Sequence, residues 1–118
     1  MKKKFLHAKI HRASVSDANL NYAGSISIPV DIMEIAGIGE YEFVQVVNIN
    51  NGLRFETYVI KGESGSKNIC LNGAAARLAE VDDRIIIMAY CDLDPSEIEN
   101  HKPTIIVMDE TNTIIEKK

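Results

Sequence analysis

The sequence predicts a mainly β domain with short helices, and three observations carry that expectation. Residues 4 to 15 and 53 to 61 alternate apolar and polar side chains with the period of two expected of a half-buried strand. Asn50-Asn51-Gly52 stands before the second stretch as a hairpin signal, because Asn and Gly accept positive φ. Arg84 to Cys91 (RIIIMAYC) reads as a further strand, too continuously apolar to have a wet face.

The elements follow in order. From Lys4 to Val15, Leu6, Ala8 and Ile10 fall on one face, with His7, Lys9 and His11 on the other. Asp17 to Tyr22 is a short polar connector that delivers the chain to Gly24. Pro29 suits the first turn of a helix with Ile32, Ile35 and Ala36 inward and Gly37 ending it. Glu42 to Ile49 is a strand, and its return strand runs from Leu53 to Lys61. There Leu53, Phe55, Thr57 and Val59 share one face, and Arg54, Glu56, Tyr58 and Ile60 the other. Arg54 and Tyr58 therefore point the same way.

Gly62 to Lys67 is a loop whose spacing fits neither a phosphate-binding loop nor a nucleophile elbow. A short strand, Asn68 to Leu71, leads through Asn72-Gly73 into a small-residue helix, Ala74 to Ala79. The first N–H groups of that helix lack intrahelical partners and are free to meet an oxygen. Pro95 to His101 is a helical turn or loop, and Thr104 to Met108 and Thr113 to Ile115 are the last strands. Ala36-x-Ile38-x-Glu40 recurs as Ala79-x-Val81-x-Asp83, a faint echo of a duplicated unit.

Bulk properties narrow the function. A chain of 118 residues forms one domain and removes roughly two-thirds of its extended surface from water. A net charge of −4 with interspersed signs gives nucleic-acid binding no electrostatic support. No apolar run reaches the roughly 18 residues a membrane span needs, and no signal peptide is expected. Cys70 and Cys91 stand alone and read as small buried hydrophobes in a reducing compartment, so the expected location is cytoplasmic. No metal site is expected, since no further His or Cys stands at ligand spacing.

Gly24-Ser25 is the pair with unusual chemical potential. Gly24 is free to take conformations other residues avoid, and the Ser25 hydroxyl sits next to the peptide nitrogen that joins them. Attack of that hydroxyl on the Gly24 carbonyl would exchange the amide for an ester. Elimination would then give a dehydroalanine, and its hydrolysis, with loss of ammonia, a pyruvoyl group. Taken alone, such a pair is far more often a plain turn, since Gly and Ser both favour turns for local reasons.

His11-Arg12-Ala13-Ser14-Val15, Asp17 to Ser25 (DANLNYAGS), Asn51 to Tyr58 (NGLRFETY) and Asn72 to Ala76 (NGAAA) together resemble aspartate 1-decarboxylase, the pyruvoyl-dependent family that makes β-alanine from L-aspartate. The resemblance runs in order from about Lys9 to Ala89. It implies a six-stranded double-psi β-barrel, cut by the chain itself between Gly24 and Ser25 into a β chain (1–24) and an α chain (25–118). It also implies a homotetramer with sites between subunits, serving pantothenate and coenzyme A synthesis. The pyruvoyl cofactor would derive from Ser25, its ketone taking the amine of L-aspartate as an imine. No maturation factor can be named from the sequence.

Roles follow from the same resemblance. Arg54 would grip one substrate carboxylate, for which its planar fork is suited, and Lys9 would supply a second positive charge. Tyr58 would return a proton to carbon, since phenols stay protonated at neutral pH. Thr57 and Asn72 would hydrogen-bond the Gly24 oxygen, although ideal pleating puts Thr57 opposite Tyr58 and calls for a bulge or twist. Gly73, Ala74 and Ala75 would offer backbone donors, Tyr22 would pack at the cleavage turn, and His11 would neighbour it. Val47 stands where members of the family often carry an aromatic residue, a departure that bears on self-cleavage. The alternative reading is a non-enzymatic double-psi barrel used as a binding or interaction module.

Overall fold

A computed structural model describes residues 1–21 and 24–118, so the expectation for Tyr22 lies outside the described residues. Among these, nine strands join in one sheet rather than the six expected: β1 (Lys3–Ser14), β2 (Asp17–Asn19), β3 (Ser25–Pro29), β4 (Phe43–Asn48), β5 (Arg54–Gly62), β6 (Cys70–Asn72), β7 (Arg84–Leu93), β8 (Thr104–Met108) and β9 (Ile114–Lys117). Their order is β2-β6-β3-β5-β4-β7-β1-β8-β9. The Asn50-Asn51-Gly52 turn closes the β4–β5 hairpin as expected, with Gly52 at φ 78° and its N–H donating to the Asn48 carbonyl at 2.8 Å.

The sheet curls around its core. Helix α1 (Val30–Ala36) touches β3 and β5 from one part of the strand order and β1 and β8 from the other. Ile10, Ile26, Val46, Val59, Leu71, Ile87 and Ile106 belong to one apolar cluster with Ile32 and Met33 of that helix. This is consistent with a β-barrel, although the described ladders do not join β2 to β9.

Four local expectations are corrected. In β1, Leu6 pairs with Tyr90 and Ala8 with Ala89, so His7 is an inserted bulge residue. Leu6 thus sits across from the outward-facing Tyr90 instead of sharing a face with Ala8 and Ile10. His7 leaves the Lys9–His11 row, and its Nε2 lies 2.9 Å from the Gly37 carbonyl oxygen. In α1 the buried side chains are Ile32, Met33 and Ala36, while Ile35 is 41% exposed. Gly37 ends the helix in the left-handed conformation as expected. Asp17–Asn19 is a strand paired in parallel with β6, not a bare connector. Gly73–Leu78 is a 3-10 helix starting one residue before the expected one. The internal echo holds only in part, since Ile38 is buried while Val81 is 52% exposed.

β7 (Arg84–Leu93) buries Ile85, Ile87 and Ala89 completely, and its alternate row, Ile86, Met88 and Tyr90, is half-buried on the outward face. A second bulge opposes His11 and Arg12 to Ile86, with Arg12 at φ 66°. The Arg84 guanidinium closes that bulge by donating to the Arg12 and Met108 carbonyls.

Candidate active site

β3 alternates as Ser-Ile-Ser-Ile-Pro, which puts Ile26 and Ile28 in the core and turns Ser25 and Ser27 outward. Its two neighbours supply the surroundings of Ser25. Antiparallel pairing sets Ser25 across from Asn72 of β6, and the parallel match of Ile26 with Val59 sets Ser25 beside Tyr58 of β5. Ser25 is 1% exposed and Asn72 3%. The Asn72 amide donates to the Ser25 Oγ at 3.1 Å and to the Ser27 Oγ at 3.0 Å. A cavity of about 400 Å³ opens here between Asp17, Ser25, Ser27, Tyr58, Ile60, Cys70 and Asn72.

A second cavity, about 350 Å³, lies beside Gly24 and is lined by Phe55, Glu56, Thr57, Tyr58, Ala74, Ala75 and Leu78. Here the structure resolves the Thr57 conflict without a bulge. The β4–β5 ladder runs through Thr57 and Tyr58 unshifted, and the β3–β5 ladder takes up β5 from Val59 onward. Gly24 opens on the Thr57 cavity and Ser25 on the other, and Tyr58 lines both. A Cβ built on Gly24 would meet nothing within 4 Å. Both Asn72 N–H groups are taken by the hydroxyls of Ser25 and Ser27, so the expected donation to the Gly24 oxygen needs the amide to turn.

Arg54, Lys9 and His11 share the outward face of the sheet but stand away from Ser25. Arg54 lies four residues along β5 from Tyr58, roughly 13 Å at the rise of a strand. Lys9 pairs with Met88, Met88 with Gln45 and Gln45 with Glu56, which puts Lys9 three strands from β5. His11 buries its Nδ1 with no hydrogen-bond partner among the described residues. Burial, and then the cations Lys9, Arg12, Lys118 and Arg84, push its pKa below the ordinary histidine value. One chain thus assembles Ser25, Asn72 and Tyr58 on one side, and Gly24, Thr57, Ala74 and Ala75 on the other. Gly73, at φ 65°, is buried behind them.

Sequence reasoning missed Asp17, Ser27 and Cys70 as neighbours of Ser25. Cys70 is half-buried and lines the cavity, where burial and then Asp17 push its thiol pKa up and keep it protonated. Ser27 follows from the alternation of β3, but only the β2–β6–β3 register brings Asp17 and Cys70 to Ser25, and no local signal announces it.

The whole chain has known relatives. Residues 1–115 match the family model described as aspartate decarboxylase, which extends the resemblance seen between Lys9 and Ala89 toward both ends. The aspartate 1-decarboxylase of Caldicellulosiruptor bescii is 66% identical over 110 residues, covering 93% of this chain and 86% of that protein. The enzyme of the same name from Aliarcobacter butzleri is 55% identical over 111 residues, covering 94% and 87%. That of Staphylococcus aureus is 58% identical over 116 residues, covering 98% and 91%.

Proposed function

This chain belongs to the aspartate decarboxylase family, and on that premise we propose that it converts L-aspartate to β-alanine and CO₂ with a pyruvoyl group made from its own Ser25. The observation that carries the reading is the setting of Ser25: 1% exposed, its oxygen held by the Asn72 amide, beside Tyr58 at the junction of two cavities. These residues fit such a group, because the cavity that Ser25 shares with Ser27, Tyr58 and Asn72 leaves room for a small ketone and the Asn72 amide stands there as a donor.

In maturation the Ser25 Oγ adds to the Gly24 carbonyl carbon, and the peptide nitrogen leaves as an amine, so the acyl group passes from nitrogen to oxygen. Loss of the Ser25 α-proton then expels the Gly24 carboxylate, and hydrolysis releases ammonia. Asn72 orients the hydroxyl, and Thr57 stands on the Gly24 side. Once formed, the pyruvoyl group supplies the carbonyl that takes the substrate amine and the sink for the electrons left by CO₂. Arg54 binds a substrate carboxylate through its fork, and Lys9 adds positive charge. Tyr58 gives its phenolic proton to the carbon that lost CO₂.

The distance between Arg54 and Ser25 supports a homotetramer in which the Arg54 and Lys9 side of one subunit meets the Ser25 side of another. The half-exposed apolar side chains of the outward face, Phe43 and Tyr58 among them, suit burial in such an assembly. The product would feed pantothenate and coenzyme A synthesis in the cytoplasm.

Intact-mass measurement tests the reading. The expected result is fragments 1–24 and 25–118, the second lighter by one ammonia than simple hydrolysis would leave, with β-alanine formed from aspartate. Ser25→Ala should stay whole and inactive. An unbroken wild-type chain without β-alanine would instead favour a non-enzymatic binding barrel.

A further inference from the structure

Arg54 is held by a neutral group, and its surroundings make that choice informative. The Gln45 Oε1 accepts a hydrogen bond from the Arg54 Nη1 at 3.2 Å and another from the Tyr90 hydroxyl at 2.9 Å. The three residues lie on adjacent strands. Arg54 pairs with Val47, two residues along β4 from Gln45, and Tyr90 lies two residues beyond Met88, the partner of Gln45 on β7. Both contacts are thus diagonal neighbours on one face of an antiparallel sheet. Because a guanidinium only donates, the Gln45 atom facing it is the amide oxygen. The Tyr90 hydroxyl donates to the same oxygen and fixes the amide from the far side.

Glu56 stands directly across from Gln45 and two residues from Arg54 on the same face. Even so, among the described residues the ion pairs are His7 with Glu42 and Lys61 with Glu40, and no carboxylate lies within 4.0 Å of the Arg54 guanidinium. A carboxylate at position 45 would hold Arg54 more tightly, but it would also occupy and neutralise the fork. An amide oxygen takes one N–H and leaves the charge intact.

We propose that Gln45, backed by the Tyr90 hydroxyl, is a positioning residue that aims the Arg54 guanidinium while leaving it charged and open for a substrate carboxylate. The inference rests on the reading of Arg54 as a carboxylate-binding residue. It also assigns substrate affinity to two side chains that act through Arg54, Gln45 by touching it and Tyr90 by holding Gln45, rather than by touching the substrate.

Steady-state kinetics with aspartate test it, each protein first checked by mass for complete cleavage. Gln45→Met keeps the length and loses the acceptor, and should raise KM roughly tenfold with kcat changed less than about twofold. Gln45→Glu keeps the acceptor and adds the charge, and should also raise KM, although its bond to Arg54 is stronger. Tyr90→Phe removes only a hydroxyl and should raise KM by a smaller factor, which keeps the test open if either Gln45 variant folds poorly. In an Arg54→Ala background, Gln45→Met should change KM no further, as coupling through Arg54 requires. An unchanged or lowered KM in Gln45→Glu, or an equal effect of Gln45→Met with and without Arg54, overturns the proposal. A fully cleaved wild-type protein that makes no β-alanine would instead sink the functional reading beneath it.

Discussion

Replacing Gly62 by alanine should loosen the strand that carries Ser25. Gly62 ends β5 opposite Pro29 in the parallel β3–β5 ladder. An alanine Cβ there would lie 3.2 Å from both the Ile28 carbonyl carbon and its oxygen, and 3.3 Å from the Pro29 nitrogen. All three are backbone atoms, so no side chain can swing aside and β3 must move away from β5 by a few tenths of an ångström. Overpacking of this kind costs about 1–3 kcal/mol, which for a domain of this size lowers Tm by roughly 3–15 °C. The comparison is best made in a Ser25→Ala background, which keeps the chain whole, at fixed protein concentration so that assembly does not shift the midpoint. Gly24→Ala is the control, because its Cβ meets nothing within 4 Å. With Ser25 restored, Gly62→Ala should also cleave more slowly, read by intact mass over time. A Tm within about a degree of the parent would refute the reasoning.

Two further outcomes are expected. Tyr58→Phe should leave the cleavage fragments unchanged and slow decarboxylation by roughly 10²-fold, the low end for loss of a positioned proton donor; normal turnover would remove Tyr58 from that role. For His11, the folded pKa lies below the unfolded value, so the unfolded chain takes up a proton first on acidification. Stability due to His11 is therefore flat above the ordinary histidine range and falls as pH drops through it. Urea unfolding of Ser25→Ala and of Ser25→Ala with His11→Asn, compared at several pH values across that range, should show a shallower loss in the second. Equal slopes would count against the buried, neutral imidazole.

The hairpin, the α1 boundaries and most strands were readable because their signals are local: alternation, Asn-Gly turns, a proline before a helix and a glycine after it. Helix α1 shows where that stops. It has only seven residues, and the periodicity allows Ile35 or Met33 as the third inward side chain. Packing against β1, β3, β5 and β8 selects Met33. The bulge at His7 was invisible for a related reason, since nothing in the alternation of β1 marks the residue its partner strand skips. At the site, Arg54 and Tyr58 could be placed on one face because they share a strand. Asp17 and Cys70 acquire their neighbours, and Gln45 and Tyr90 acquire each other, only through pairing across long stretches of chain. The expectations for Ser25, Asn72 and Thr57 rest on motif resemblance and not on residue patterns, and only the folded chain puts Gly24 and Thr57 on one cavity and Ser25 and Asn72 on another.

Strand β1 lies inside the sheet, flanked by β7 on one edge and β8 on the other. A break after Gly24 would therefore turn an interior plank of the barrel wall into a separate peptide, gripped on both sides yet tethered to nothing. Melting such a molecule would release that peptide into solution, and its recovery would become a second-order encounter that slows with dilution. The uncut precursor would refold each subunit without that encounter, so ripening would exchange a renewable fold for one the cell assembles a single time.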